Sequence, residues 1–377
     1  MGKTIIIGGG ILGAAIAYKL AKAGETVILV DAEDEGQATD AGAGIVCPWV
    51  SKRRNAAWYA LAKGGARIYP KLIKELEADG IKETGYAQVG SLSLQEDEQK
   101  LNELYNTIMA RTEDAPEIGE VGILNNQDVL ERFPLLRSGF GAVYVSGGAR
   151  VDGRLLRNAL LEGARKHGAE LITGKASLLL EEGRIAGILV NGEEIHSEQV
   201  IAANGAWMAE LLEPLLAEQQ LYLDVRPQRA QIIHIALDGM DGSDWPVAKS
   251  PFNQYMLVSG NRLIVGATQE NNTGFDRRMT VGGVHEILHK ALDIAPQLSD
   301  ATILETRVGF RPMTPESVPI MGFMPGYENF IVANGLGSSG LTMAPYMAEQ
   351  LACLALGIPL DVDLSSYDPS KIIKKQA

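Results

Sequence analysis

Residues 4–7 (TIII) form a β-branched apolar run with no polar interruption, the pattern of a strand buried on both faces. Residues 11–23 repeat apolar positions at helical spacing, with small residues between them, until Gly24 stops the pattern. A second apolar run, VILV at 27–30, follows directly. Strand, helix and strand within about 30 residues make a βαβ unit, whose connection is right-handed and whose strands are parallel. An α/β domain therefore begins here.

Further on, the periodicity predicts a long amphipathic helix over 55–80, with Leu61, Ile68, Leu72, Ile73 and Leu76 on one side. It then predicts a strand at 87–94, a polar helix at 96–111, a strand at 140–145, a helix at 152–167 and a strand at 170–172. Three short strands follow within 175–200, broken at Glu182-Gly183 and Asn191-Gly192, the second a hairpin signal. Residues 221–267 are mostly β in pattern, 281–295 helical and 302–310 extended. Near the C-terminus, FIVANGLGSSGLTMAPYMAEQLACLALG repeats the opening order of apolar strand, glycine turn and small-residue helix. Two such units so far apart imply a discontinuous nucleotide domain interrupted by excursions of a β-rich second domain.

Composition narrows the partners. The 377 residues are 46% hydrophobic, enough for a large core and two or three structural units. With 34 Lys and Arg against 47 Asp and Glu, the net charge is −13, which argues against nucleic acid because phosphate backbones are gripped by clustered cations. Only Cys47 and Cys353 are present, too few for a disulfide framework, so a cytoplasmic location is expected. The apolar run after Lys3 imitates a signal peptide, but three consecutive glycines and a second strand read as the start of a fold. No stretch approaches the roughly 20 apolar residues of a transmembrane helix.

The glycine cluster carries the first chemistry. Gly8-Gly9-Gly10-Ile11-Leu12-Gly13 fits GxGxxG: Gly8 allows the tight turn, Gly10 lets backbone N–H groups approach a pyrophosphate, and Gly13 lets the helix pack closely. The helix N-terminus adds orphan donors and partial positive charge. Asp31, closing the second strand, is placed to accept hydrogen bonds from ribose hydroxyls, which disfavours NADP and leaves NAD and FAD open. The small-residue loop after it, GQATDAGAGIVCPW, presents bare backbone at 41–45 that suits a flat ring system such as flavin.

These segments, with VIAANGAW, NRLIVGAT, GFRPMTPESVPIMG and VANGLGSSGLTMAP in order, resemble the FAD-dependent D-amino-acid oxidase superfamily, in its glycine oxidase, sarcosine oxidase and D-amino-acid dehydrogenase branch. The resemblance spans nearly the whole chain. It implies an α/β fold with a Rossmann-like FAD-binding domain at 1–84, 144–217 and 312–377. A substrate-binding α+β domain with a mostly antiparallel sheet would take 85–143 and 218–311. It also implies that Ile11, Leu12 and Gly13 meet the pyrophosphate, Asp31 and Ala32 the ribose, and Ala38 and Thr39 phosphate and ribitol. Ala43, Gly44 and Ile45 would meet the ring and Ser177 the adenine. Gly337, Ser338, Ser339, Gly340, Leu341 and Thr342 would bring a helix N-terminus to the flavin pyrimidine edge.

In glycine-oxidase-like members the arginine of GxRP grips the substrate carboxylate; here it is Arg311, because guanidinium matches a carboxylate with two parallel hydrogen bonds. The competing reading is a structural ion pair, for instance with Glu316. Tyr255 matches a tyrosine that shares the carboxylate; a packing role is the competing reading. Two departures stand out: Ser338 replaces a second arginine, which leaves room for an amine other than glycine, and 306–313 lacks the cysteine of covalent flavin attachment. FAD should therefore be non-covalent.

The implied reaction oxidises the Cα–N bond of a small amino acid or amine, with hydride passing to flavin N5, imine hydrolysis and reoxidation by O2 or another electron acceptor. Within the family a D-amino-acid or D-hydroxyproline dehydrogenase is the rival; outside it, an NAD-dependent dehydrogenase or a non-catalytic flavin-binding protein. A homo-oligomer is compatible with these features. One motif points elsewhere: HEILH at 285–289 formally matches a zinc site with Glu286 as base and Glu305 as the only further ligand candidate. The apolar positions Val281, Ile287, Leu288 and Leu292 favour an ordinary surface helix, so no metal is expected. Cys47 reads as a small buried thiol.

Overall fold

The computed structural model describes residues 2–376. β1 (Lys3–Ile7), α1 (Ile11–Lys22) and β2 (Thr26–Asp31) form the opening βαβ unit, with β1 and β2 parallel. Its strands are buried on both faces, as their unbroken apolar runs require. Among the described residues the first sheet has six strands: Ile320–Phe323, Phe330–Asn334, Gln199–Ala202, β1, β2 and Glu170–Thr173. All pair in parallel except the first, which joins Phe330–Asn334 antiparallel. α1 packs against the helices Gly153–Lys166 and Gly340–Ala355, and the latter also receives α2 (Ala56–Ala78). Asn55 starts α2 by accepting the Trp58 N–H at 2.9 Å.

The second sheet has eight strands among the described residues, in the order Ile303–Met313, Arg226–Ala236, Arg262–Gly266, Tyr255–Ser259, Val247–Lys249, Ser91–Gln95, Gly141–Val145 and Val121–Leu124. Only Val247–Lys249 and Ser91–Gln95 pair in parallel. Alternation along these strands divides the side chains. Ile233, Ile235, Met256 and Val265 pack with the helix Val281–Ile294, whereas Ile232, Leu257 and Ile264 face Ala43 and Ile45 of the loop after β2. The second sheet thus roofs the loop that leaves the first, and the chain passes between the sheets several times. We propose the two discontinuous units expected above, with edges moved to strand ends, because Gly141–Val145 crosses the edge at 143 and Ile303–Met313 overruns the edge at 311.

Some elements differ from the periodicity. The strand expected over 87–94 begins only at Ser91, because Gly90 turns with φ +79° and donates its N–H to Gly148 O. The helix Met208–Leu216 went unpredicted; Pro214 inside it masks the pattern.

Candidate active site

The turn after β1 is built for close approach. Gly8 has φ +106°, and a Cβ there would lie 2.6 Å from Ala203 O; a Cβ on Gly13 would lie 1.8 Å from Gly8 O, so α1 starts hard against the turn. Gly10 is different: the nearest atom to its would-be Cβ is Thr39 Oγ1 at 3.4 Å, so its bareness leaves a cradle rather than relieving a clash. α1 begins without a side-chain cap or first-turn acid. Thr39 Oγ1 accepts the Ile11 N–H at 2.9 Å, so the Ile11 donor expected at a pyrophosphate is already used, and Leu12 and Gly13 keep theirs.

Asp31 ties this turn to the next loop. Its Oδ2 accepts the Gly9 N–H at 2.6 Å, while Oδ1 accepts from Glu33 N at 2.7 Å and Gln37 Nε2 at 3.0 Å. A carboxylate offers about four lone-pair sites, which leaves capacity for roughly one more donor. A groove of about 410 Å³ runs past residues 8–12, Asp31, Ala32, Ser177 and 203–207. Along it Asn204 Oδ1 is buried without a partner among the described residues, and Trp207 stacks on Phe275 at 5.0 Å and meets Phe310 edge-on. Length, backbone donors, acid and orphaned amide all fit an extended dinucleotide. Sequence alone does not single out Asn204, which carries no motif of its own, or the pairing of Trp207 with Phe275 and Phe310, which come from distant segments.

A second cavity of about 140 Å³ shares Ile11, Ala38, Thr39, Gly337 and Gly340 with the groove, so the two form one continuous site. It is walled by residues 41–45, Tyr255, Arg311, Ser338, Leu341 and Thr342. Gly44 holds φ +80°, its carbonyl accepts the Val151 N–H at 2.8 Å, and Thr342 Oγ1 donates to Ile45 O at 2.8 Å. The loop at 43–45 is thereby pinned along the cavity wall. The α-helix Gly340–Ala355 starts at this wall without a side-chain cap, which leaves first-turn N–H groups available. Ser339 lines neither cavity; its N–H goes to Leu336 O within the 3-10 turn.

Arg311 and Tyr255 meet here from strands separated by two others. Gly266, in register with Tyr255, makes this approach feasible: the Tyr255 hydroxyl lies 2.8 Å from where a Cβ on Gly266 would sit. Arg311 is largely buried and donates from Nη1 to Gln228 Oε1 at 3.2 Å, a neutral partner, in place of an ion pair with Glu316. Burial pulls the Arg311 pKa below its ordinary value, Tyr255 opposing and Arg53 adding to the shift. Burial also pushes the Tyr255 phenol up to about 12, so it stays protonated and able to donate. No Asp or Glu lines this cavity among the described residues. Outside the lining, two cations adjoin its residues. Arg53 donates from Nη2 to Ser338 Oγ at 3.4 Å, and Lys249 stands in register with Tyr255, its ammonium pKa lowered by burial.

The other motifs resolve differently. His285 and His289 stack at 5.8 Å, Glu286 pairs with Lys290, and Glu305 pairs with Arg307 and Arg262. Among the described residues no cluster of three His, Cys, Asp or Glu could hold a metal ion. Cys47 is buried with Sγ 3.0 Å from Ser91 Oγ, and burial raises its thiol pKa. Among the described residues no helix is long and apolar enough to cross a membrane.

Known proteins share this arrangement. The model of the FAD dependent oxidoreductase family (DAO) matches residues 3–354. The crystal structure of iminodiacetate oxidase (IdaA) from Chelativorans sp. BNC1 superposes with a TM-score of 0.93 at 44% identity, covering 97% of this chain and 98% of that one. The oxidoreductase YurR of Bacillus subtilis is 48% identical over 372 residues, 98% of this chain and 99% of YurR. Glycine oxidase of Pseudomonas aeruginosa is 30% identical over 375 residues, 98% of each chain. With a dinucleotide groove opening into a cavity walled by Arg311 and a family match over nearly its whole length, the chain belongs to the FAD-dependent oxidoreductases of the DAO family, in the branch that holds the glycine oxidases.

Proposed function

We propose that this enzyme oxidises the Cα–N bond of a small amino acid or secondary amine and passes the electrons to dioxygen. One observation carries the reading: Arg311 presents a largely buried guanidinium, with only the neutral Gln228 as partner, to a cavity continuous with the dinucleotide groove. A buried cation without an acid is costly unless an anion completes it, and a substrate carboxylate does so with two parallel charge-assisted hydrogen bonds. The names of the similar proteins, iminodiacetate oxidase and glycine oxidase, agree with an amine that bears a carboxylate.

Bound FAD would supply the two-electron acceptor. The remaining work falls to the protein. Arg311 and the Tyr255 hydroxyl fix the carboxylate, which orients Cα–H toward the loop at 43–45, where the ring would lie. The positive charge of Arg311 favours loss of the ammonium proton, and the free lone pair then drives hydride departure from Cα. The resulting imine takes up water and splits into an oxo acid and ammonia or an amine, while dioxygen takes the two electrons as hydrogen peroxide. N–H groups at the start of Gly340–Ala355 would stabilise negative charge on the reduced cofactor. Cys47 is engaged with Ser91 and lies outside the cavity lining, which supports non-covalent attachment.

The test is anaerobic bleaching of the yellow protein by glycine, sarcosine, D-alanine, D-proline and hydroxyproline, followed by admission of air. Bleaching with stoichiometric peroxide is the expected result. Bleaching without peroxide would make the enzyme a dehydrogenase, and a flavin that no amine bleaches would overturn the reading.

A further inference from the structure

A second cation stands at the rim of the substrate cavity. Arg53 lies in the exposed stretch 52–55 just before α2, far from Arg311 in sequence, yet its Nη2 reaches Ser338 Oγ at 3.4 Å. Ser338 and Arg311 wall the same cavity, which is lined by no acid among the described residues. The Arg53 guanidinium is held over the Trp58 ring, 4.9 Å from its centroid, a contact that orders the side chain without neutralising it. It is near enough to Arg311 to act on it as a like charge.

The Arg311 guanidinium in the cavity wall and the Arg53 guanidinium at its rim repel each other, and the neutral partners Ser338 and Gln228 do not offset that repulsion. Ser51, Trp58 and Ser338 are the contacts that hold Arg53, and none is an acid. An anion with one charged end cancels one of these cations; an anion with two ends cancels both. The net charge of −13 makes such a concentration of cations more telling, since the rest of the surface would repel a dianion.

Resting on the reading that Arg311 holds the first carboxylate, we propose that Arg53 is a specificity-determining residue that grips a second carboxylate. The substrate class is then short amino- or iminodicarboxylates, with the reacting nitrogen and Cα between the two arginines. Ser338 serves as the rest that points Arg53 inward.

Two matched pairs of compounds test this. Sarcosine and iminodiacetate share a secondary amine and differ by one carboxylate; methoxyacetate and diglycolate are their ether counterparts, which offer no amine to oxidise. In the FAD-loaded wild type, iminodiacetate should exceed sarcosine in kcat/KM by roughly 10- to 100-fold, mostly through KM, the worth of one charge-assisted contact. Arg53→Ala should lower kcat/KM for iminodiacetate far more than for sarcosine, collapsing that preference, and Arg53→Lys should restore part of it. Diglycolate should protect the wild type against thermal unfolding better than methoxyacetate, and Arg53→Ala should lose the difference. Equal use of both amines by the wild type, or an equal loss on both in Arg53→Ala, would overturn the role of Arg53 and leave the oxidation reading standing. If neither of these two amines bleaches the flavin, the ether pair alone decides: equal protection by the two ethers refutes the second-carboxylate site.

Discussion

Gln228 and Arg311 face each other across two antiparallel strands, and the amide Oε1 accepts from the guanidinium at 3.2 Å. The neutrality of this partner matters more than the bond. It positions Arg311 without discharging it, so the charge is kept for a ligand. Gln228→Glu should supply a permanent counter-ion that competes with substrate carboxylate, lowering kcat/KM by roughly 10- to 100-fold through KM. Arg311→Ala should cost at least as much while the protein stays yellow. Steady-state kinetics beside flavin absorbance check both.

Tyr255 should act as a donor throughout the working pH range. Because burial pushes its phenol up to about 12, no limb of the pH–rate profile below that value belongs to it. Tyr255→Phe should raise KM roughly 10- to 100-fold, the loss of one hydrogen bond to a charged group. It should leave unchanged the rise of rate with pH that amine deprotonation produces. A profile that loses its rise in Tyr255→Phe would assign the proton to the phenol instead.

Asp31 bonds to both Gly9 and Glu33 as well as Gln37, so removing it should do two things. Asp31→Ala leaves backbone donors without their charged acceptor, a loss of about 1.5–3 kcal/mol in stability. It also removes the acceptor proposed for ribose. Thermal unfolding of the apoprotein separates the first effect from the second, which fluorescence titration with FAD measures as weaker binding.

His234 makes an acid-side prediction. It is 1% exposed, and neither ring nitrogen has a partner among the described residues. Burial, followed by the charge of Arg307, lowers its pKa from 6.5 to about 4, with Glu305 opposing. Above pH 6.5 the ring is neutral folded or unfolded and adds no pH dependence. As pH falls from 6.5 toward 4 the unfolded chain binds a proton that the folded one refuses, so stability drops by up to about 3 kcal/mol. His234→Leu should flatten that part of the stability curve, as denaturant titrations at stepped pH would show.

How much of this was legible beforehand follows from the range over which each signal acts. GxGxxG, the buried strands around it and the terminal Asp31 are local: glycine geometry, strand burial and helix start all lie within one βαβ unit, so residue order alone specified them. The β-rich pattern of residues 221–267 was equally visible, because it is short-range, whereas the mostly antiparallel pairing of the second sheet was implied only by the family resemblance. Arg311 and Tyr255 could be singled out through their motifs. That they share one cavity depends on the bare Gly266 in register with Tyr255 and on two intervening strands, a relation no linear spacing encodes.

Tertiary structure decided three matters outright. It gave the Ile11 N–H to Thr39, because the loop after β2 folds back over the helix start. It left Arg311 with a neutral neighbour, because strand register set Gln228 opposite it and Glu316 beyond the strand's end. It brought Arg53 to Ser338 across the cavity, where sequence showed only a missing arginine at 338. Local patterns determine what each segment becomes; which charges face one another, and whether they meet an acid, is settled only when distant segments pack.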